Sequence, residues 1–334
     1  MQLPQFLQDF LKKGPAGAKK GLDAVVTSSE RGIWALKWSF IGLAITSVLQ
    51  IVVFFYSGST ALLADTIHNV ADAATAVPLW IAFRFTNRPP TKRFTYGFGR
   101  IEDLAGLIIL VIILASGIVA GYESIQRFYH PEPVKYLGAV AVASVVGFLG
   151  NEAVAIFRIK VGKEIGSAAL VADGYHARTD GIASLSVLLG VIGIWLGFPL
   201  ADPIIGLLIS LVILKIVWRS GKDIFTRLLD GVDPAMVDAV RASAQQVPGV
   251  QGVDTIRLRW LGHKLNAEVD VAVDDSLTVS QAHDLGSRVE AQLIRDVQYL
   301  NTALVHTDPV SAAGHQHGTG TAHAQDVQVL PTDV

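Results

Sequence analysis

The stretch that decides the fold reads LVADGYHARTD at residues 170–180, and it repeats an earlier stretch, LLADTIHNVAD, at residues 62–72. Both copies fit the pattern L-[LV]-A-D-x-x-H-x-x-x-D, and both lie inside long apolar runs. Side chains four residues apart share one face of an α-helix, so each copy places its histidine over its second aspartate. The repeat therefore predicts two helices that each present one imidazole and one carboxylate.

The repeat supplies four polar side chains that form a candidate metal site: His68, Asp72, His176 and Asp180. Two imidazoles and two carboxylates suit a roughly tetrahedral Zn²⁺. An ionisable side chain at the centre of a membrane helix costs about 2.5–3.5 kcal/mol on insertion scales, and a shared divalent cation offsets that cost. The alternative is that these residues only join helices through hydrogen bonds. Two copies at matching depth favour the metal site.

The composition indicates a membrane protein with a soluble part. The chain has 334 residues, of which 51% are hydrophobic and 17% charged, whereas soluble domains carry about 25% charged residues. There are no cysteines, which excludes disulfides, thiolate ligands and cysteine nucleophiles. A net charge of −2 gives no indication of nucleic-acid binding. The first residues show no apolar core before a small-residue cleavage site, so we expect no secretory signal.

Six stretches are long and apolar enough to span a bilayer. They lie at residues 33–56, 60–85, 101–122, 134–157, 167–196 and 203–219. Lysine and arginine concentrate before the first span, after the sixth, and in the second and fourth loops, so both termini are predicted to be cytoplasmic. The two motif-bearing spans then run antiparallel. That is typical of an inverted three-plus-three repeat with its site near the middle of the membrane.

Two further aspartates, Asp65 and Asp173, lie three residues before the motif histidines. Each shares its histidine's side of the helix, where it is a candidate acceptor for the imidazole N–H or a lining residue of the metal path. The alternative is a hydrogen bond that only packs helices together. Asp202-Pro203 is typical of a helix N-cap followed by proline at the first helical position.

After residue 219 the pattern becomes that of a small soluble domain. Asp233-Pro234 predicts the start of a helix that ends near residue 246. Alternating apolar residues predict two strands, and a second helix and a short strand follow; the ranges are 254–260, 265–273, 278–296 and 303–306. The order α-β-β-α-β indicates an α+β domain, a sheet with two helices on one face.

The chain therefore divides into four predicted regions. They are a cytoplasmic N-terminal tail at 1–30, a six-span transmembrane domain at 31–222, a cytoplasmic α+β domain at 223–310 and a tail at 311–334. The last tail is polar and is predicted to be disordered. It contains three histidines, for which weak metal capture is an alternative to a passive role: His315, His317 and His323.

Several segments together resemble the cation diffusion facilitator family, the zinc-transporter-type metal/proton antiporters. Besides the two motif copies, they are YGFGRIE at 96–102, DP at 202–203 and VHTDP at 305–309. The resemblance covers about residues 30–310. It implies six spans plus a metallochaperone-like cytoplasmic domain, a homodimer, and metal export in exchange for protons across a bacterial inner membrane. It implies a secondary active transporter and no enzyme activity.

By this resemblance, the four ligands of the repeat match the family's transport site. Histidine on both helices looks like the zinc-preferring branch, and Mn²⁺ would favour more oxygen ligands. Cd²⁺, Co²⁺, Ni²⁺ and Fe²⁺ remain alternatives to Zn²⁺. The ligands bind metal only when deprotonated, so protons and metal compete for one site. No cofactor is expected apart from zinc itself, as substrate and as a candidate regulatory ligand.

The resemblance also implies a candidate metal site in the cytoplasmic domain. His306 and Asp308 match ligands of a binuclear site, His283 matches a bridging or partner-chain ligand, and Asp254 and Asp270 fall where some relatives have histidines. The alternative is that Asp254 and Asp270 are solvated residues at strand ends and that His306 only packs at a strand end.

Two more sets of positions carry expectations from the family. Arg100 and Asp230 fall where the family has a Lys–Asp interlock at the dimer centre. Phe94 and Phe98 fall where some members have ligands of a further metal site in the second-to-third loop, so no metal is predicted there.

Two other functions are alternatives to transport. A catalytic zinc usually keeps three protein ligands, an open position and a nearby glutamate base. The chain has no His-Glu-x-x-His and no glutamate close to either motif in sequence, which counts against an intramembrane hydrolase. Carboxylates at mid-membrane count against a metal sensor with a membrane anchor. The expected partners are divalent metal ions, protons, membrane lipid and a second copy of the chain, with no nucleic acid.

Overall fold

The structure is a computed structural model, and it describes residues 16–57, 76–129, 137–198 and 200–312. The first motif copy therefore lies outside the described residues, and so do several residues singled out above: Asp65, His68, Asp72, His315, His317 and His323.

Six helices form the described part of the membrane domain. They are α1 (Ala16–Ser57), α2 (described over Ala76–Thr86), α3 (Arg100–Tyr129), α4 (Leu137–Ile165), α5 (Ala168–Trp195) and α6 (Ala201–Leu228). Within the described ranges, all except α2 contain a segment long and apolar enough to cross a membrane. The chain is therefore an integral membrane protein.

Three helix boundaries differ from the predictions. Helix α1 begins at Ala16, so half of the predicted N-terminal tail belongs to the first helix, and α6 continues to Leu228, past the predicted domain boundary at residue 223. Hydropathy detects only the apolar part of a helix, so polar turns at its ends are missed. Helix α6 also begins with Leu200 as N-cap, which places Asp202 and Pro203 in the first turn rather than at the cap. Proline is tolerated there because the first N–H groups have no partner within the helix.

Close helix contacts hold the membrane domain together. Helix α4 packs along α5 and against α1, while α3 packs against α6. Small residues allow the closest approach: a Cβ atom added at Gly174 of α5 would lie 2.7 Å from the Ile159 side chain of α4 and 2.9 Å from its backbone nitrogen. The second motif copy therefore lies on a helix that is seated tightly against its neighbour.

The cytoplasmic domain has the predicted α-β-β-α-β order. It comprises α7 (Pro234–Gln245), β1 (Val250–Leu261), β2 (Lys264–Val273), α8 (Val279–Asp296) and β3 (Leu300–Pro309), followed by a 3₁₀ turn at Val310–Ala312. Strand β2 is central, antiparallel to β1 and parallel to β3. The last strand is longer than predicted. Side chains of α7, α8 and the three strands share one apolar core, which confirms the predicted fold class.

The sequence predicted the two faces of this sheet because strand side chains alternate. All five β2 residues assigned to the inner face are buried: Leu265, Ala267, Val269, Val271 and Val273. The start of α7 follows the predicted cap, and α8 begins with a cap that was not predicted. The Asp233 side chain accepts a hydrogen bond from the Ala235 N–H, and Thr278 forms a capping box with Gln281.

Candidate functional site

The described half of the repeat lies in α5, where its histidine and second aspartate are both buried. His176 is 1% exposed and Asp180 is 7% exposed. The imidazole Nδ1 lies 3.9 Å from a carboxylate oxygen of Asp180, as expected for residues one helical turn apart. The structure thus places two potential metal ligands side by side inside the helix bundle. Their predicted counterparts His68 and Asp72 lie outside the described residues, so the four-ligand set stays a prediction.

The local sequence explains why α5 is held in this place. Gly166 has a φ of +75°, which glycine adopts without a steric penalty, and it turns the chain sharply after α4. The Ser167 side chain then caps α5 by accepting a hydrogen bond from the Leu170 N–H at 3.0 Å. Further along, Gly181 lies close to Asn151 of α4. Together these contacts fix the position and rotation of the motif-bearing helix.

Asp173 forms a fully buried ion pair with Arg158 of α4. The Asp173 Oδ2 atom lies 3.0 Å from Arg158 Nη1, and the two side chains are 0% and 1% exposed. Arg158 was not predicted at this site, because the fourth span was expected to end at residue 157. The available signal was Asp173 itself, since a buried carboxylate requires a cationic or metal partner. Its role toward the imidazole or the metal path stays a prediction.

A second ion pair joins the same two helices. Arg178 lies between the two ligands in sequence, and its guanidinium contacts both carboxylate oxygens of Glu152 at 3.2 and 2.7 Å. This two-point geometry is the strongest that an arginine and a carboxylate form. Both side chains are about one-third exposed. Helix α5 is therefore tied to α4 on two of its turns around His176.

The candidate ligands of the cytoplasmic domain lie mainly on the sheet. Asp270 of β2 is the register partner of His306 of β3, and His306 Nε2 lies 3.1 Å from an oxygen of Asp308. Asp254 lies in an irregular part of β1 that faces Asp270. His283 instead lines a surface cavity of about 630 Å³ between α8 and β3. Among the described residues, no three such side chains form a group that could hold a metal within one chain.

The predicted interlock residues come together within a single chain. The guanidinium of Arg100, at the start of α3, contacts the Asp230 carboxylate and donates to the Arg227 carbonyl oxygen at 2.9 Å. The Arg100 and Asp230 side chains are 35% and 52% exposed. An exposed pair of this kind is usually worth about 1 kcal/mol or less. Its role at a dimer centre stays a prediction.

Aromatic rings occupy the loop positions where some relatives have ligands. The Phe94 and Phe98 rings lie 5.0 Å apart, and Phe85 contacts the second ring edge-on at 6.2 Å. A cluster of this geometry is an ordinary packing arrangement of aromatic side chains. The prediction of no metal at this loop remains a prediction.

Two protein-family models match this chain. The model for the cation efflux transmembrane domain matches residues 36–229, and the model for the cation efflux protein cytoplasmic domain matches residues 232–310. This chain belongs to the cation efflux family. The junction between the two matched regions coincides with the end of α6 and the start of α7. The predicted family resemblance is confirmed.

Several relatives of this cation efflux protein are named as transport or efflux proteins. A probable cation efflux system protein of Mycobacterium tuberculosis is 49% identical over 317 residues, which cover 95% of this chain and 94% of that protein. Zinc transporter ZitB of Escherichia coli is 32% identical over 221 residues, 65% of this chain and 70% of that protein. Manganese efflux system protein MneP of Bacillus subtilis is 27% identical over 293 residues, 84% and 98% of the two chains.

Among solved structures, a nickel form of the MamM CTD is similar to part of this cation efflux protein. It is 28% identical, with a TM-score of 0.23, and it covers 23% of this chain and 98% of that chain. On the family match and the relatives alone, the chain is a divalent metal efflux transporter of a membrane and not an enzyme.

Proposed function

We propose that this protein exports Zn²⁺ from the cytoplasm in exchange for protons, through a mid-membrane site made of the four repeat ligands: His68, Asp72, His176 and Asp180. We further propose that it acts as a homodimer in a bacterial inner membrane with both termini in the cytoplasm. The observation that carries the proposal is the buried His176–Asp180 pair on a tightly seated membrane helix.

The donor set supports zinc ahead of other metals. Two imidazole nitrogens and two carboxylate oxygens form a borderline ligand set that suits Zn²⁺ and Co²⁺, whereas Mn²⁺ prefers more oxygen. Cd²⁺, Ni²⁺ and Fe²⁺ are the remaining alternatives. The named metal differs between relatives, since ZitB is named a zinc transporter and MneP a manganese efflux system protein. The choice of metal therefore has to come from this chain's own ligands.

Proton exchange follows from the chemistry of these ligands. An imidazole must be neutral and a carboxylate ionised to bind a metal, so each bound Zn²⁺ displaces protons from the site. Once the metal leaves, the same nitrogen and oxygen atoms are free to take up protons. A site that faces each side of the membrane in turn would therefore carry metal one way and protons the other.

A homodimer would also bear on the cytoplasmic ligands. The prediction from the family assigns His283 as a bridging or partner-chain ligand, and it lines a cavity on the surface of the domain. We propose that Asp254, Asp270, His306 and Asp308 contribute to a regulatory Zn²⁺ site only when a second copy completes the ligand set.

Transport into sealed vesicles tests the proposal. The full chain is reconstituted into liposomes that contain a zinc-sensitive dye, with an outward proton gradient, and Zn²⁺ uptake is recorded with internal pH. Asp180→Ala is expected to abolish uptake without preventing membrane insertion, while Asp238→Ala, which removes an exposed carboxylate of α7, is expected to leave uptake unchanged. Normal uptake by the first variant would refute the site.

A metal panel in the same vesicles tests the choice of metal. Zn²⁺ is expected to be taken up most efficiently, and Mn²⁺ least. Uptake that is independent of the proton gradient would refute exchange while leaving metal efflux intact.

A further inference from the structure

The turn between β1 and β2 of the cytoplasmic domain is buried against the membrane domain. His263 in this turn is 3% exposed, and Glu102 of α3 is 1% exposed. The Glu102 carboxylate accepts a hydrogen bond from the His263 backbone N–H at 3.2 Å and lies 2.6 Å from its imidazole Nδ1. The other imidazole nitrogen lies 3.2 Å from the hydroxyl of Ser29 in α1. One histidine thus links the cytoplasmic domain to two membrane helices.

Glycines make this contact tight on both sides. A Cβ atom at Gly262 would lie 2.7 Å from a Glu102 carboxylate oxygen and 2.8 Å from the Gly99 carbonyl oxygen. A Cβ atom at Gly99 would lie 2.6 Å from the Leu261 carbonyl oxygen. The Gly262 N–H also donates to Asp103 at 3.3 Å. The turn therefore fits the start of α3 without room for one methyl group. We call this contact, made by Ser29, Gly99, Glu102, Gly262 and His263, the turn junction.

The surroundings of the turn junction reach α5, which carries the second motif copy, and α2, the described end of the second predicted span. Lys264 donates to the carbonyl oxygen of Thr86, the last residue of α2. Arg227 lies over the Trp260 ring of β1 at 4.0 Å and donates to the Gly166 carbonyl oxygen, two residues before α5, at 2.7 Å. The cytoplasmic domain therefore contacts the ends of α2 and α5 on either side of the turn junction.

We propose that the turn junction couples the cytoplasmic domain to the motif-bearing helices, with His263 and Glu102 as positioning residues of the transport cycle. This inference rests on the proposed function. Alternating access requires the helix ends at one membrane face to shift relative to the rest of the bundle. A turn packed without free space and held by buried hydrogen bonds moves with α3, because leaving these polar groups unpaired is costly. The contact therefore sets how fast the site is exposed, and it does not set how tightly the site binds metal.

The test separates the rate of transport from the affinity for metal. Zn²⁺ uptake by reconstituted full-length protein gives the maximal rate and KM, and calorimetry on the same purified protein gives Zn²⁺ affinity. His263→Ala is expected to lower the maximal rate about tenfold, the scale of a typical coupling between sites, with KM and affinity within about twofold of wild type. His263→Asn, whose amide reaches the position of imidazole Nδ1, is expected to restore most of the rate.

A matched pair of glycine variants controls for strain in the domain. Gly262 and Gly249 both lie in turns of the cytoplasmic domain with positive φ, +64° and +103°. Alanine at Gly249 meets only the Leu285 side chain within the same domain, at 3.3 Å, whereas alanine at Gly262 meets Glu102 of the membrane domain. Gly262→Ala is therefore expected to lower the maximal rate and Gly249→Ala to leave it unchanged. This pair decides the question if His263→Ala fails to give homogeneous protein.

Each outcome bears on one of the two proposals. Absence of Zn²⁺ uptake by the wild-type protein would refute the proposed function. If the wild type transports and His263→Ala keeps its maximal rate, the inference is wrong and the proposed function stands. The same holds if the rate and the Zn²⁺ affinity fall together, or if the two glycine variants lose equal activity.

Discussion

Two buried carboxylates of this protein have different partners: one forms an ion pair within the membrane domain, and the other forms hydrogen bonds between the two domains. Asp173 pairs with Arg158 between α4 and α5, and arginine does not lose its charge in proteins. Glu102 instead contacts an imidazole and a backbone N–H of the β1–β2 turn. Separating a buried guanidinium from its carboxylate costs several kcal/mol, whereas exchanging one hydrogen bond for water costs about 0.5–1.5 kcal/mol net.

The comparison suggests a division of labour in the proposed transport cycle. Helices α4 and α5 are expected to move as one unit, because fixed charges and closely packed glycines join them. The turn junction joins separate domains through buried hydrogen bonds instead of a fixed ion pair, so it is the contact expected to transmit a movement of the cytoplasmic domain to α3. The predictions that follow weaken each of these contacts in turn.

The largest effect is expected from breaking the buried ion pair. Arg158→Ala leaves Asp173 charged and unpaired, which is expected to cost about 3–5 kcal/mol. The double variant Arg158→Met, Asp173→Leu removes both charges and is expected to recover most of that loss. Apparent melting temperature of the detergent-solubilised protein measures both. If the single variant melts like wild type, the pair is not a structural tie.

A smaller loss is expected from separating α4 and α5 without changing a charge. Alanine at Gly174 overlaps the side chain and backbone of Ile159 and is expected to cost about 1–3 kcal/mol. Gly42→Ala is the matched control. Its Cβ atom would make an ordinary 3.4 Å contact with Val154 of the same α4, and the gain in helix propensity is expected to leave stability unchanged or slightly higher. Equal melting temperatures for the two variants would argue against close packing at Gly174.

Next to the turn junction, a pH-dependent effect is expected from Lys264. Burial lowers the pKa of Lys264 to about 8 from its ordinary value near 10.5, with Glu102 opposing the shift. Between these two values the unfolded chain binds more protons than the folded chain, so stability rises with pH. Because the side chain is partly exposed, the gain is expected to be about 1 kcal/mol.

The comparison of wild type with Lys264→Met isolates this contribution from other lysines. The stability difference between the two proteins is expected to grow in favour of wild type from pH 8 to pH 10. It is expected to be constant below pH 7, where Lys264 is charged in both states. A difference that does not change with pH would contradict the burial of this amine.

The sequence predicted those features that depend on local patterns. His176 and Asp180 were found because a repeat at helical spacing marks one helix face, and the inner face of β2 was found from strand alternation. The contact between His263 and Glu102 joins positions 161 residues apart, and a Gly-His-Lys sequence between two strands has the appearance of an exposed hairpin turn. Neither Arg158 nor this junction follows from any local pattern, since both depend on how helices and domains pack.

The smallest effect is expected from the exposed pair of Arg100 and Asp230, which sharpens the comparison because it has the same chemistry as the buried pair. Water and salt screen its attraction, so Asp230→Ala is expected to cost under about 1 kcal/mol in the isolated subunit, less at high salt. Asp230 also has a φ of +60°, which glycine adopts more readily than alanine, so Asp230→Gly removes the charge while keeping the turn. A destabilisation as large as that of Arg158→Ala would mean that a second copy of the chain buries this pair. The melting temperature of the wild-type protein would then fall on dilution, because dilution separates the two copies.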